Sequence, residues 1–394
     1  MLKPNRHYAD LKDSFLFVEI ADRSAAYEKA HPEQSLLRMG IGDVTLPICP
    51  AVISALHAAV EEQAHADSFH GYLPECGTPS LREAIAAHYA RRGVRLNADE
   101  VFVSSGASDE LGALLDLFDR DSAALVMEPA YPAYVDTNIL AGRQILRLAA
   151  NRGNGFLPMP DSVTTGDLIY LCSPNNPTGA AYTRSQLSEW IRFANATGAV
   201  ILFDAAYEAY IEDADVPHSI FEIDGARTCA IEICSLSKTA GFTGMRLGYT
   251  IVPHELQREE MNLHSMWVRN RTTKTNGISY LLQKGAEAVF TPQGQTETQK
   301  QIAYYKENAA IWMETFDRLG LWYTGGKNAP YLWIECPNGM DSWQFFDLLL
   351  ERIQVVGTPG AGFGASGEGF FRFSTFGSHV DTEAAAKRLL QLLG

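Results

Sequence analysis

The sequence has no Cys-x-x-Cys pair, no block of basic residues and no apolar stretch of 18 residues. Each absence removes a class of protein. Six cysteines (Cys49, Cys76, Cys172, Cys229, Cys234 and Cys336) are scattered over 394 residues. They form neither a disulfide framework nor a zinc site, which points to free thiols in a reducing compartment. The net charge is -15, and Lys and Arg are nowhere clustered. Nucleic acid and anionic membranes select clustered positive charge, so neither is an expected partner. From Met1 to Ile20 charged and apolar residues alternate without the apolar core of a signal peptide. A soluble, cytoplasmic protein is expected. His57, His65 and His70 fall near one helical stretch without the i, i+4 spacing of a zinc helix, and no metal is expected.

What is present is an ordinary globular composition, 46% hydrophobic and 20% charged. Cores rarely grow past about 250 to 300 residues, so this length suits two domains. Apolar spacing from Phe15 to Ala26 predicts a helix. Another is expected over Pro50 to Ala66, with Pro50 in its first turn. A third is expected from Ser80 to Arg92, with Ser80 as N-cap and Glu83 closing a capping box. Strand-like runs then recur at Val101 to Gly106, where the strand runs into a small-residue turn, and at Ala124 to Met127, Gln144 to Leu148, Asp167 to Cys172, Ala199 to Phe203, Thr228 to Cys234 and Leu247 to Val252. Helical patterns separate several of them, notably Ala107 to Phe118 and Ser185 to Ala196. This alternation predicts an α/β fold with a seven-stranded, mostly parallel sheet buried on both faces. Beyond Gly277 the texture changes to helices over Gln295 to Leu319, Ser342 to Arg352 and Asp381 to Leu393, with strands near Tyr331 to Glu335, Gln354 to Val356 and Phe370 to Ser374. The expected division is residues 1–46 as an N-terminal arm and part of a small domain, 47–285 as the large domain, and 286–394 as a smaller α+β domain.

Ligands of parallel α/β sheets sit beyond the carboxyl ends of the strands, and here those ends carry polar residues. After the first strand, Gly106, Ala107 and Ser108 open a helix, whose N-terminus suits a phosphate or is simply capped. After the next, Tyr131 and Tyr134 can aim a ring at the crevice. Ser173-Pro174-Asn175-Asn176-Pro177-Thr178-Gly179 restrains the backbone so that Asn176 is held at a strand end. Asp204 ends the apolar run Val200 to Phe203, where a carboxylate is costly unless paired, with Tyr207 three residues on. Finally Ser235-Leu236-Ser237-Lys238 leads through Gly241 and Gly244 to Arg246. A Lys there can lose its proton through desolvation and cationic neighbours, and its free amine can form a Schiff base with a carbonyl cofactor.

In this order and spacing the residues resemble the fold-type I pyridoxal-phosphate aminotransferases. SPNNPTG, the Asp204-x-x-Tyr207 segment and the run from Ser235 to Arg246 are the blocks that carry the resemblance. Within that superfamily the chain is most similar to the LL-diaminopimelate aminotransferases, through Gly40 to Thr45, His70-Gly71-Tyr72, Pro74-Glu75, Phe203 to Tyr207, Ala240 to Gly244, Gly325 to Tyr331 and Thr358 to Gly364. The resemblance implies a homodimer with composite active sites, pyridoxal 5'-phosphate as cofactor, and an amino acid and a 2-oxo acid as substrates. Catalytic roles fall to Lys238, Asp204 and Tyr131: the Schiff-base Lys and proton carrier, the partner of the pyridinium nitrogen, and the ring that stacks on the cofactor. Asn176 and Tyr207 would bond the cofactor's phenolic oxygen. Gly106, Ala107, Ser108, Ser235 and Arg246 would hold its phosphate, with Tyr72 reaching in from the neighbouring subunit. Substrate would meet Gly42, Phe15, Glu75, Asn176, Asn276 and Arg372, the last by a bidentate fork to the α-carboxylate.

Departures from the family pattern cluster at the substrate. Ser108 stands where a Lys is common, Phe15 where a Tyr is usual, and Leu73 where a Gly follows the Tyr. The segment from His254 to Thr275 is short. The same cofactor could therefore serve a lyase, cyclase or oxidase acting on a basic or hydroxylated amino acid, and a non-catalytic cofactor-binding protein is a third reading. Gly362-Phe363-Gly364-Ala365-Ser366-Gly367 matches a dinucleotide fingerprint, but a strand rather than a helix follows it, so a nicotinamide cofactor is not expected.

Overall fold

The computed structural model describes residues 2–11, 16–163 and 165–394. Helix α1 (Leu16–Ala30) and strand β1 (Leu37–Arg38) precede α2 (Pro50–Glu62) and α3 (Pro79–Ala90). Next come β2 (Val101–Ser104), α4 (Ala107–Ala113), β3 (Ala124–Glu128), α5 (Pro132–Ala141), β4 (Ile145–Ala149), β5 (Leu168–Cys172) and α6 (Arg184–Thr197). They are followed by β6 (Val200–Asp204), β7 (Ala230–Ser235), α7 (Leu236–Thr239) and β8 (Gly248–Ile251). Strands β9 (Gln257–Arg258) and β10 (Met261–Asn262) form a small ribbon ahead of α8 (Leu263–Lys274), α9 (Tyr280–Val289) and α10 (Pro292–Leu319). The chain closes with β11 (Tyr323–Gly325), β12 (Tyr331–Glu335), α11 (Ser342–Ile353), β13 (Val355–Val356), β14 (Thr358–Pro359), β15 (Phe370–Ser374) and α12 (His379–Leu393).

The expected seven-stranded sheet is present, in the order β2-β8-β7-β6-β5-β3-β4. All neighbours are parallel except β8, which runs against both β2 and β7. Alternate residues of each strand feed opposite cores. Val101, Val103, Ile169, Leu171, Ile201 and Phe203 pack with Trp190 and Ile191 of α6 and Leu81 and Ile85 of α3. Phe102, Leu168, Tyr170, Leu202 and Ile231 face the other way, onto Leu111 of α4, Tyr134 of α5 and Trp267 of α8. That two-sided burial is why the strands read as unbroken apolar runs rather than as alternating ones.

A second, antiparallel sheet has the order β11-β12-β15-β14 and shares a core with α1, α11, α12 and the later half of α10. The 28 residues of α10 join the two cores, Ile302 and Tyr305 in one and Trp312 and Phe316 in the other. Strand β1 pairs in parallel with β13, which carries the N-terminal segment to the edge of the second sheet.

One predicted cap is corrected. Helix α3 begins at Pro79 with Thr78 as N-cap. Proline lacks the N–H that the first turn leaves unpaired, so it takes that position readily, and the Ser80 hydroxyl bonds Glu287 instead. The glycine-rich stretch Gly362 to Gly367 forms short 3-10 turns ahead of β15. Its Gly364 packs directly on Glu128, where a Cβ would come within 2.4 Å of that side chain.

Glu232 of β7 lies fully buried and accepts hydrogen bonds from the Ser219 and Tyr89 hydroxyls and the Ile220 N–H. Burial pushes its carboxyl up to about 7, and those donors only partly offset it. The folded value exceeds the unfolded one, so the contribution is fully present below the unfolded pKa and is lost as pH rises through about 7. Wild type is therefore expected to lose on the order of 3 kcal/mol relative to Glu232→Gln between pH 4.5 and 8. Denaturant midpoints across that range check it, and parallel profiles for the two proteins would contradict it.

Candidate active site

Five of the parallel strands lead, at one edge of the large sheet, into the same crevice. Strand β2 delivers Gly106 to Ser108, β3 delivers Tyr131, β5 delivers Asn176, β6 ends on Asp204, and β7 runs into the short helix that holds Lys238. Strand β8 arrives from the opposite direction, so its start rather than its end lies here. Arg246 thereby comes beside Gly106. Gly248, paired with both Ser104 and Ser235, allows the close approach, because a Cβ there would sit 2.6 Å from the Cys234 carbonyl oxygen.

These residues line a cavity of about 570 Å³. It holds the predicted Lys238, Asp204, Tyr131, Ala107, Ser108, Asn176, Tyr207, Ser235, Arg246, Gly42 and Arg372. Gly106 stands just behind, at φ 121°, and a Cβ there would strike the Arg246 guanidinium at 2.5 Å. Tyr72, Glu75 and Asn276 do not line this cavity. Tyr72 is 90% exposed, and its loop lies beside the Asn276 loop, with Gly277 fitted against the Leu73 and Pro74 carbonyls. Phe15 lies outside the described residues. The sequence assigns no site role to several cavity residues: Phe17, Ile20 and Ala21 of α1, Tyr331 of β12 and Thr358 of β14. Tyr134 is marked by the sequence only as a ring near the crevice, and the structure makes it the partner of Asp204.

Lys238 is largely desolvated, and burial pulls its ammonium down to about 8, with Arg372 and Arg246 adding to the effect and Asp43 opposing it. Its Nζ donates to the Gly42 carbonyl. Asp204 accepts from the Tyr134 hydroxyl at 2.6 Å and from the Ala206 N–H at 3.0 Å. Burial raises the Asp204 carboxyl, those two donors lower it, and both are neutral. A carboxylate so placed is stabilised by a cation brought in with a ligand.

Arg372, 1% exposed, donates to Asn176 Oδ1 at 2.6 Å and to the Gly40 carbonyl at 2.8 Å. Its Nε is buried without a hydrogen-bond partner. A guanidinium has five N–H donors, so it retains capacity for a carboxylate. Because Arg only donates, Asn176 must present its oxygen there, which leaves its NH₂ to donate elsewhere. Tyr207 Oη lies 3.2 Å from Tyr331 Oη, and Ser108 Oγ lies 3.4 Å from Tyr131 Oη.

This donor set fits pyridoxal 5'-phosphate. A low-pKa amine, a buried carboxylate without a cation, the partly exposed ring of Tyr131 and a seat of Ser235, Arg246 and the first-turn N–H groups of α4 would meet the aldehyde, pyridinium, ring and phosphate of that molecule. Among the described residues no cluster of three His, Cys, Asp or Glu side chains is placed to hold a metal ion.

The sheet and its crevice define a fold-type I, pyridoxal-phosphate-dependent transaminase. Residues 34–389 match the family described as aminotransferase class I and II, and the chain belongs to it. It is 48% identical, over the full length of both proteins, to the LL-diaminopimelate aminotransferase of Lachnospira eligens, and 48% identical to that of Lawsonia intracellularis. The solved structure of L,L-diaminopimelate aminotransferase from Chlamydomonas reinhardtii superposes with a TM-score of 0.95 at 39% identity, covering 100% of this chain and 99% of that one.

In protein stripped of cofactor, reductive methylation of Lys238 should rise with pH and reach half its maximal rate near pH 8, because only the free amine reacts. Peptide mass spectrometry against surface lysines checks this. A half-maximum near 10.5, the ordinary value for a lysine, would show that the crevice does not desolvate the amine.

Proposed function

We propose that the protein is a homodimeric LL-diaminopimelate aminotransferase, exchanging an amino group between LL-diaminopimelate and a 2-oxo acid by ping-pong chemistry. The observation that carries this reading is the convergence of Lys238, Asp204 and Arg372 on one cavity, in a chain whose full-length relatives bear that name. When bound, pyridoxal phosphate supplies an electron-withdrawing ring that stabilises negative charge at the substrate Cα. The Lys238 amine would hold the cofactor and would move the proton at the substrate Cα. Asp204 would keep the ring nitrogen protonated. Asn176, through its NH₂, and Tyr207 would donate to the phenolic oxygen, while Tyr131 would lie against the ring. Gly106, Ala107, Ser108, Ser235 and Arg246 would hold the phosphate. Arg372 orients the substrate by its α-carboxylate, and Gly42 lies alongside.

Tyr72 is far too exposed to serve its own cavity, which supports a role for it, and for Glu75 and Asn276, across a dimer interface. The family resemblance assigns Phe15 to the substrate as well. The large domain is taken as residues 47–285, between an arm at 1–46 and a smaller domain at 286–394. A cytoplasmic setting agrees with six free cysteines. No helix among the described residues is long and apolar enough to cross a membrane.

The deciding experiment is a panel of amino donors against 2-oxoglutarate, with LL-diaminopimelate, lysine, ornithine, arginine, glutamate and aromatic amino acids compared. Transfer is expected from LL-diaminopimelate with stoichiometric glutamate formation. Ammonia release without a new amino acid would favour the lyase or oxidase reading instead. Lys238→Ala should lower kcat by about 10⁴-fold or more. Arg372→Lys, which loses the bidentate fork, should raise the KM for the 2-oxo acid by about 10²-fold. Gel filtration should give a dimer, and Tyr72→Phe should weaken cofactor binding by roughly tenfold. An unchanged affinity in Tyr72→Phe would contradict the composite site.

A further inference from the structure

Tyr331 opens β12 in the second sheet, yet its hydroxyl reaches Tyr207, just beyond the end of β6 in the first. It is 1% exposed and makes three contacts inside the cavity. Its hydroxyl lies 3.2 Å from that of Tyr207. Its ring face lies 4.3 Å from the centre of the Arg372 guanidinium. Gly42 has no room for a side chain because a Cβ would come within 2.7 Å of the Tyr331 hydroxyl. The sheet register explains the placement: Arg372 pairs with Trp333, so Tyr331 is a diagonal neighbour on the same face, within reach of a long side chain.

We infer that Tyr331 is a positioning residue that couples the cofactor end of the site to the carboxylate end, its hydroxyl orienting Tyr207 and its ring holding Arg372. The inference rests on the roles proposed above for those two residues. Tyr207 has a single proton. If that proton goes to the cofactor's phenolic oxygen, the bond between the two tyrosines must have Tyr331 as donor and Tyr207 as acceptor. Donation into Tyr207 polarises its O–H and makes it a stronger donor in turn. A stronger donor stabilises the ionised phenolic oxygen and lowers the pH at which the bound cofactor titrates. The ring has a separate task. A guanidinium drawn to an aromatic face 4.3 Å away is restrained in where its planar fork can point, which keeps it aimed for a carboxylate. Side chains from two sheets thus meet at one tyrosine.

The two contacts can be separated with Tyr331→Phe, which keeps the ring and loses the hydroxyl, and Tyr331→Leu, which loses both. The holoenzymes are titrated by visible absorbance without substrate, and kcat and KM are then measured for the 2-oxo acid. Both variants are expected to titrate about half a unit higher than wild type. In Tyr331→Phe the KM should stay within about twofold, whereas in Tyr331→Leu it should rise about tenfold. Melting curves of the cofactor-free proteins verify that each variant is folded. A Tyr331→Phe enzyme that titrates like wild type would overturn the hydroxyl role, and one whose KM rises about tenfold would overturn the division of labour. These two readings stand on the Phe variant alone if the Leu variant fails to fold. A wild-type protein that binds no cofactor would instead sink the proposed function and not this coupling specifically.

Discussion

A guanidinium held almost entirely out of water is the constraint on which the rest of the site depends. Removing such a cation from solvent costs several kcal/mol unless its donors are met. For Arg372 they are met from three separate parts of the chain: Asn176 beyond β5, Gly40 beyond β1 and Thr358 of β14. The large sheet, the N-terminal segment and the small sheet are therefore pinned together at one side chain. The same bonds leave Nε buried and unpartnered, so a group that shifted the guanidinium would act on all three of those parts at once.

The opposite wall of the cavity is organised by a reversal of direction. Were β8 parallel to its neighbours, its start would lie at the far edge of the sheet and Arg246 with it. Running antiparallel, β8 sets Arg246 beside the opening of α4 and beside Ser237, whose hydroxyl accepts from the guanidinium at 3.3 Å. Glycines at 106 and 248 remove the side chains that would keep the strand and helix apart. Two cations then flank Lys238, and together with burial they hold its amine near neutrality. The Asp204 carboxylate, with neutral donors only, gives the crevice a complementary demand for positive charge. The site thus carries a buried acid and a buried base with their pKa values pushed toward each other, which is a costly arrangement in an empty protein and a useful one around a charged heterocycle.

Much of this was legible in the linear chain. The central strands of the large sheet, such as β5 and β6, were visible because burial on both faces disfavours polar interruptions, so each reads as an apolar run ending in a polar cluster, while the edge strand β4 is only partly buried and admits Arg147. Asn176, Asp204 and Lys238 stood out because each closes or follows such a run, and Arg246 because it directly precedes one; the roles themselves came from the family resemblance. The unanticipated residues share a different property. Tyr331, Thr358 and Phe17 belong to β12, β14 and α1 themselves, where an apolar or aromatic residue, or a threonine in a strand, looks like ordinary core. Tyr134 carried a faint signal, standing three residues after Tyr131 at the start of α5 and so one helical turn away. The cap of α3 was displaced for a local reason: a proline at the first helical position competes with a Ser-x-x-Glu pattern just beyond it.

By itself, the sequence determined the α/β class, the order of the strand ends and which polar and titratable residues stand at them, because these depend on short-range patterns of burial and on residue chemistry. Only the tertiary structure decided which side chains face one another. Tyr331 joins Tyr207 to Arg372 because two antiparallel strands pair in one register and a separate sheet lies within reach. Tyr72 turns away from its own crevice because its loop packs on the Asn276 loop. Side-chain partners across sheets are set by register and by the packing of distant segments, and these are properties of the folded chain that no local pattern of residues encodes.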